Sequence, residues 1–498
     1  MTISALGRSA VALGRAVNQF TTSREHITEQ STQLSTGRAA TTYAGLGTGA
    51  PRSLGLRSQL ASLSSYEANI ADGQVRLTLM TTGVEQASKL GQSLVTGLSD
   101  SLDVSKYGAT GYVATPADGL SQVIDALNEN LNGRYLFAGR AADTKPVADY
   151  GTIMDGGDGR IGLKQLMAER KAADLGSDGL GRLAITTDAA TATSTLGETV
   201  AGLPFGFKIV GASATGPGLA ATHTATPPAG ASFAAGPGLP RVGDEVAVTL
   251  ALPDGTERTL RLTAATTTSR LTFAIGATPA DTARNISDAL GAGVRSLANS
   301  ALAAASTMAT ANNFFASTAA NPPLRVSGVP AATATVLAAD ATVVQWYRGD
   351  TSASPRDAAL VRVGDGETVR IGAEANEEPF RRVLAAFAVL AAEDFTPVTA
   401  VSQARYAELA GAVKTSLGTP AGATLRAIST DLAIAGNDMG RAQKTIDSAQ
   451  AQATDALAGV EDADPTETAA KLLATQTRLQ ASYQVTATIL KLSMVDYL

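Results

Sequence analysis

The residue types that could carry chemistry are few in this chain, and their spacing works against most of it. The two histidines, His26 and His223, are far apart and lack the HExxH pattern that places two zinc ligands on one helix face. They read as a solvated helix histidine and a loop histidine. Gly157, Gly159 and Gly162 match G-x-G-x-x-G, but no Val- or Ile-rich strand leads into them, and the helix they would open is the short Leu163 to Arg170 run. A flexible turn is expected there, not a dinucleotide site. Asp155 and Asp158 in the same loop lack the ligand alternation of a calcium-binding EF-hand, so they read as solvated turn carboxylates. Gly45, Gly47 and Gly49 are not followed by a lysine in the P-loop position and read as a connector that lets the chain change direction. Glu461 and Asp462 are an acidic pair without a nearby His, Lys or aromatic wall to tune them, which reads as a solvated helix end. There is no cysteine, which excludes disulfides, thiolate catalysis and Cys-ligated metal centres. No catalytic residue, cofactor or metal is expected.

Composition points to helix packing instead. Apolar residues make up 44 % of the 498, yet aromatics supply 4 %, so Ala, Val and Leu carry the hydrophobicity. The length asks for more than one core. A net charge of -6 argues against a nucleic-acid partner, because phosphate binding needs clustered Lys and Arg. The first twenty residues carry Arg8, Arg15 and Asn18, so no cleaved signal peptide is predicted. No apolar run reaches the roughly 18 to 20 residues that a membrane helix requires, and no membrane insertion is predicted.

The elements that could organise such a chain are two heptad seams. Leu56, Leu63, Ile70, Leu77 and Val84 recur every seventh position near the start. Near the end, Leu425, Leu432, Met439, Ile446, Ala453 and Val460 keep one register, while Ile428, Ala435, Ala442, Ala449 and Ala456 keep a second. Gly422 to Asp462, without a proline, predicts a helix of about 60 Å at ~1.5 Å per residue. Asp464 and Pro465 break it, and a last helix runs through Leu472, Leu479, Tyr483, Leu490 and Tyr497. Burying alanine contributes far less than the roughly 1.5–3 kcal/mol of a buried Leu or Ile, so this C-terminal helix is expected to be marginal alone.

A shorter helix is predicted over Leu120 to Leu131, started by Pro116 with Asp118 and stopped by Gly133, then a short strand over Arg134 to Ala138. From Pro146 to Phe395 the texture changes to Gly, Thr, Ala and Pro with short alternating runs. Arg241 to Leu252 and Thr256 to Ala264 around Pro253-Asp254-Gly255 predict a β-hairpin, and Val361 to Val363 with Thr368 to Ile371 another. Pro279 to Thr310 reads as helical, and Gly211 to Pro240 and Thr318 to Ala341 as exposed loops. The fold class is therefore α+β: a long antiparallel α-helical coiled-coil rod from the N- and C-terminal regions with a β-rich inserted domain. The expected boundaries are 1–54 for an assembly helix and connector, 55–146 for half of the rod with its hairpin, 147–395 for the insertion, and 396–498 for the other half and a terminal assembly helix.

The two ends together resemble a known family. Leu34-Ser35-Thr36-Gly37-Arg38, Leu56 to Leu63 and Tyr66 to Ile70 are similar to the N-terminal helices of bacterial flagellins and hook-filament junction proteins. Gly133-Arg134-Tyr135-Leu136-Phe137-Ala138-Gly139 resembles the hairpin that closes their N-terminal rod. Glu461-Asp462, Asp464, Leu472, Gln476, Leu479 to Tyr483 and Leu492 to Leu498 resemble their C-terminal helix. One departure is that Thr41 to Gly49 replaces the usual Asp-Asp-Pro loop. The resemblance implies a non-enzymatic structural subunit of the flagellum, extracellular and exported through the flagellar type III channel without a cleaved signal peptide. It implies assembly with flagellin, hook-associated proteins and further copies of itself, and an export chaperone on a terminal helix. The assembly residues would be Leu56, Leu63, Ile70, Leu77, Val84, Leu425, Leu432, Met439, Ile446, Leu472, Leu479, Tyr483, Leu490 and Tyr497. Asp496-Tyr497-Leu498 and the hairpin favour the junction protein, whereas the large insertion favours a filament subunit. An adhesive surface on the insertion is a further alternative.

Overall fold

The computed structural model of the chain describes residues 3–100, 115–329, 331–339, 342–352, 354–418 and 421–495. The fold is α+β, with long helices towards both ends and a β-rich region between them. In chain order, α1 (Ile3–Thr36) leads through a 3₁₀ segment (Tyr43–Gly49) to α2 (Ala50–Asp100) and α3 (Pro116–Leu127). Two-residue strands β1 (Asn130–Leu131) and β2 (Arg134–Tyr135) precede α4 (Tyr150–Asp155), the pair β3 (Gly156–Gly157) and β4 (Arg160–Ile161), and α5 (Leu163–Leu175). Then come β5 (Leu183–Asp188), β6 (Thr193–Glu198), β7 (Lys208–Thr215), β8 (Leu219–Thr224), β9 (Gly230–Ala235), β10 (Glu245–Ala251), β11 (Glu257–Ala265) and β12 (Thr272–Ala274). Helices α6 (Pro279–Leu297) and α7 (Ala303–Ala316) flank a π-helical turn, Ala298–Leu302. Strands β13 (Leu324–Ser327), β14 (Ala334–Leu337), β15 (Leu360–Arg362) and β16 (Thr368–Arg370) precede α8 (Glu378–Ala392), α9 (Ala400–Gly418), α10 (Ala421–Glu461) and α11 (Pro465–Val495).

The chain folds as two compact units. The first, the terminal unit, comprises Met1–Asp72, Arg362–Thr368 and Asp438–Leu498; the second comprises Gly73–Val361 and Val369–Asn437. In the terminal unit, α1 packs on α11, and the early turns of α2 run antiparallel to the late turns of α10. Proline placement sets the helix boundaries. Pro465 occupies the first turn of α11, where its missing N–H costs nothing, and the Asp464 carboxylate accepts from the N–H groups of Thr466 (2.8 Å) and Glu467 (3.1 Å). Gly37, at φ +69°, ends α1 in the left-handed conformation that side chains disfavour. The tip of the β15–β16 hairpin belongs to this unit: the Arg362 guanidinium lies over the Tyr66 ring, 5.5 Å from its centroid.

The second unit is built differently. Two four-stranded sheets, ordered β12-β11-β10-β7 and β5-β6-β9-β8, share one apolar core with α6. The β10–β11 hairpin pairs Glu245 with Thr263 through to Ala251 with Glu257, and alternation puts Val246, Val248 and Leu250 inward with Leu260, Leu262 and Ala264. Phe207, Phe233, Phe273, Ile286 and Leu290 complete that core. Helices α3 and α6 open on the same four residues, Thr-Pro-Ala-Asp: Thr115 and Thr278 cap the N–H groups of Asp118 and Asp281, and each donates its hydroxyl to that aspartate. Gly83 leaves room for the Phe137 ring, and Phe137 meets Phe380 edge to face at 5.7 Å.

Several sequence expectations differ from these elements. Gly211 to Pro240 and Thr318 to Ala341 are not loops: they hold most of β7, all of β8 and β9, and the β13–β14 hairpin. In β9 the inward residues are Ala231, Phe233 and Ala235, so two of three are too small to register as an apolar alternation. The helix expected to Leu131 ends at Leu127, and Leu131 lies in β1. The expected strand over Arg134 to Ala138 is two residues long. The helix expected over Pro279 to Thr310 is interrupted by the π turn and runs on to Ala316. The run from Leu163 extends to Leu175, and His223 sits on β8, where Nε2 is 3.3 Å from the Ile209 carbonyl oxygen.

Candidate assembly interface

The terminal unit is knotted where α1 turns into α2 beside the end of α10. The Thr42 hydroxyl accepts from the Gly45 N–H and starts the 3₁₀ segment, which ends beside Val460: a Cβ on Gly49 would stand 3.1 Å from its Cγ1. The backbones of the two ends are tied directly, with Ala39 N donating to Glu461 O at 2.6 Å and Ala463 N to Gly37 O at 2.9 Å. Across them, the Arg57 guanidinium grips the Glu461 carboxylate with both arms, Nε to Oε1 at 2.8 Å and Nη2 to Oε2 at 2.5 Å. The buried Ser53 hydroxyl donates to Oε1 as well.

This corrects the reading of Glu461 as a solvated helix end: its side chain is 15 % exposed and fully engaged. The Arg57 and Ser53 donors, with Arg57 charge added, hold its carboxyl down at about 2 against an ordinary 4.5. Sequence reasoning missed this clasp because Arg57 and Ser53 are some 400 positions away. The seven-residue register that relates α2 to α10 was the signal that could have found it.

The seam residues fall in both units. In the terminal unit Ile70, Met439 and Ile446 are buried, and Leu56 and Leu63 are half-buried. In the second unit Leu77, Val84, Leu425 and Leu432 are buried, and Gly436 lets Leu77 approach α10 so closely that a Cβ there would be 3.0 Å from its Cδ2. These positions are consumed within the chain. On α11, Leu472 and Leu479 are half-buried and Tyr483 is exposed; the Leu490 side chain and Tyr497 lie outside the described residues.

The terminal unit leaves several apolar side chains to solvent. Leu473, Tyr483 and Val485 on α11 are 64, 51 and 57 % exposed, and Val17 and Leu34 on α1 are exposed too. Phe20 and Tyr483 stack at 4.9 Å with ring planes 11° apart. The stack fixes α1 against α11 while much of the tyrosine stays wet. Scattered exposed apolar residues are ordinary, and at about 100° per residue Leu473, Tyr483 and Val485 point to different sides of α11, so they stand singly on the paired helices and do not form one face.

The remaining motif residues settle into structural roles. Gly156, Gly157 and Arg160, Ile161 form a tight hairpin before α5, Asp158 sits in its turn at φ +54°, and Asp155 pairs with Lys164 at 2.8 Å. His26 lies 3.7 Å from Glu29 on the exposed surface of α1. Among the described residues no cluster of His, Asp and Glu could hold a metal ion, and no helix is long and apolar enough to cross a membrane.

Residues 11–142 match the family model of the bacterial flagellin N-terminal helical region. That stretch holds most of α1, the 3₁₀ segment, α2, α3 and the β1–β2 hairpin, so the likeness to bacterial flagellins lies in the N-terminal part of the chain. No curated protein matches the chain.

Proposed function

We propose that this chain is a structural subunit of the bacterial flagellum that assembles through its terminal helices, as the hook-filament junction protein. The observation that carries the reading is the pairing of α1 with α11, joined by the Phe20–Tyr483 stack, with apolar side chains that a monomer leaves in water. Burying those side chains against neighbouring copies and hook-associated proteins supplies the driving force at about 25 cal/mol per Å² of apolar area. The flagellin-type N-terminal region supports the flagellar assignment, and the Tyr135 to Gly139 segment, packed through Phe137, supports the junction role.

Export through the type III channel, with a chaperone on a terminal helix, fits helices whose seam is rich in alanine and orders on assembly. The size of the second unit favours a filament subunit as the other reading, with that unit facing outward. Immunogold electron microscopy of intact flagella, using an antibody to residues 147–395, separates them. Label at the hook-filament boundary is expected; label along the filament makes the chain a flagellin, and unlabelled flagella overturn both. Leu432→Asp places a charge in the buried seam and should abolish incorporation; normal motility in cells carrying only this variant would remove the seam from the account.

A further inference from the structure

Charged groups that are partly buried and have no partner are uncommon, because the lost hydration is not recovered. Arg381, in the first turns of α8, is such a group. Its Nε is shielded from water without an acceptor, and among the described residues its guanidinium makes no hydrogen bond or ion pair. Its neighbour Arg382 is tied to Glu378 one turn back.

An open concavity of about 440 Å³ lies in front of Arg381, walled by α7, α8 and α9. Asn312 contributes an amide, Ser416 a hydroxyl and Phe315 an apolar wall. Thr415 also lines it, but its hydroxyl is already donated to the Gly411 carbonyl. The obvious internal partners for the arginine are the carbonyl oxygens of the last turn of α9, which a cation near a helix C-terminus commonly takes. Arg381 takes none of them.

We propose that this concavity is a binding site for a small oxyanion ligand, a carboxylate or a phosphate, held by Arg381 with Asn312 and Ser416. The guanidinium presents a fork that matches either group with two parallel N–H···O bonds. Arg382 and Glu378 also line the concavity, but they are paired with each other and leave Arg381 as the unneutralised charge there. The volume exceeds that of a bare phosphate ion and falls in the range of small-molecule sites, so the ligand carries its anionic group on a larger body. The site lies wholly in the second unit and is independent of the assembly reading.

The test uses the full-length chain at low ionic strength, titrated calorimetrically with inorganic phosphate and, separately, with citrate. Saturable one-site binding of at least one probe is expected, and the arm that binds more tightly identifies the chemistry. Arg381→Met should weaken it at least tenfold, Arg381→Lys less, and Arg370→Met, on the β15–β16 hairpin, not at all. In the wild-type chain, the Arg381 Nε–H resonance should shift with the binding isotherm, which needs no variant to fold. Absence of saturable binding to both probes, or equal binding by a folded Arg381→Met chain, overturns the proposal.

Discussion

The two units differ most in their aromatic content and in how it is enclosed. The second unit buries its large side chains: Trp346 packs edge to face on Phe315 at 5.2 Å, and Phe205, Phe207, Phe233, Phe273, Phe314 and Phe380 are all enclosed. The terminal unit contains one phenylalanine, Phe20, and leaves Leu473, Tyr483 and Val485 in water. Exposed apolar side chains occur in both units, Val242 and Leu337 in the second among them, but in the terminal unit several stand on the long paired helices α1 and α11. A carboxylate in each repeats the contrast. Glu461 is held ionised by Arg57 and Ser53, whereas Glu374, fully enclosed, is pushed up to about 7, first by burial and then by Asp350 and Glu377, although the Ser352 N–H and Arg356 favour its charged form.

Phe233→Ala probes the self-sufficient core most severely. It should cost about 3–5 kcal/mol in urea unfolding of the second unit, the range for emptying an aromatic site. A loss below 1 kcal/mol would mean that the sheets do not depend on that core.

Proton linkage comes next. Glu374 has a folded pKa above its ordinary 4.5, so the folded chain holds the extra proton between about 4.5 and about 7, and stability falls as pH rises through that window. The loss is at most about 3 kcal/mol, at about 1.4 kcal/mol per pH unit over that window. Glu374→Gln should reduce it, read as urea midpoints between pH 4 and 8, leaving the part that belongs to Glu377, whose carboxyl burial also pushes up. Tyr347 does not compete in this range, since burial and the carboxylates of Glu374 and Asp350 push its hydroxyl well above 10.

In the terminal unit the sign reverses. Glu461 is depressed, so the stability it contributes is present above about 4.5 and is lost as pH falls towards about 2. Glu461→Gln should remove that acid response and raise hydrogen exchange at Ala39 and Ala463, whose amides bridge the same junction. An acid response that survives the substitution would place its origin elsewhere. The smallest effect is expected for Leu473→Ala, within about 0.5 kcal/mol on the monomer, as for most exposed positions. Yet it should lower the rate of assembly measured by light scattering, and unimpaired assembly would break the contrast between the units.

The long helices were legible because heptads repeat one signal many times: Ile70, Leu77 and Val84 on α2, and Leu432, Met439 and Ile446 on α10, are buried as their register implied. The β10–β11 hairpin was legible because Pro253-Asp254-Gly255 separates two runs of alternating Val and Leu, and Gly255 takes the positive φ that the turn needs. Strands β7 to β9 were not, because Ala, Gly and Thr occupy inward and outward positions alike and only the surrounding sheet decides which is which. Arg57 with Glu461, and the partnerless Arg381, depend on contacts between distant segments, for which a single sequence carries no pairing signal.

The most direct measurement is hydrogen exchange of the full-length chain, free and assembled, followed by mass spectrometry. The account predicts that α1 and α11 gain protection strongly on assembly while β5 to β12 exchange as they do in the free chain. Equal protection of α1 and α11 in both states would contradict it, because these helices would then not be the surfaces that neighbours cover.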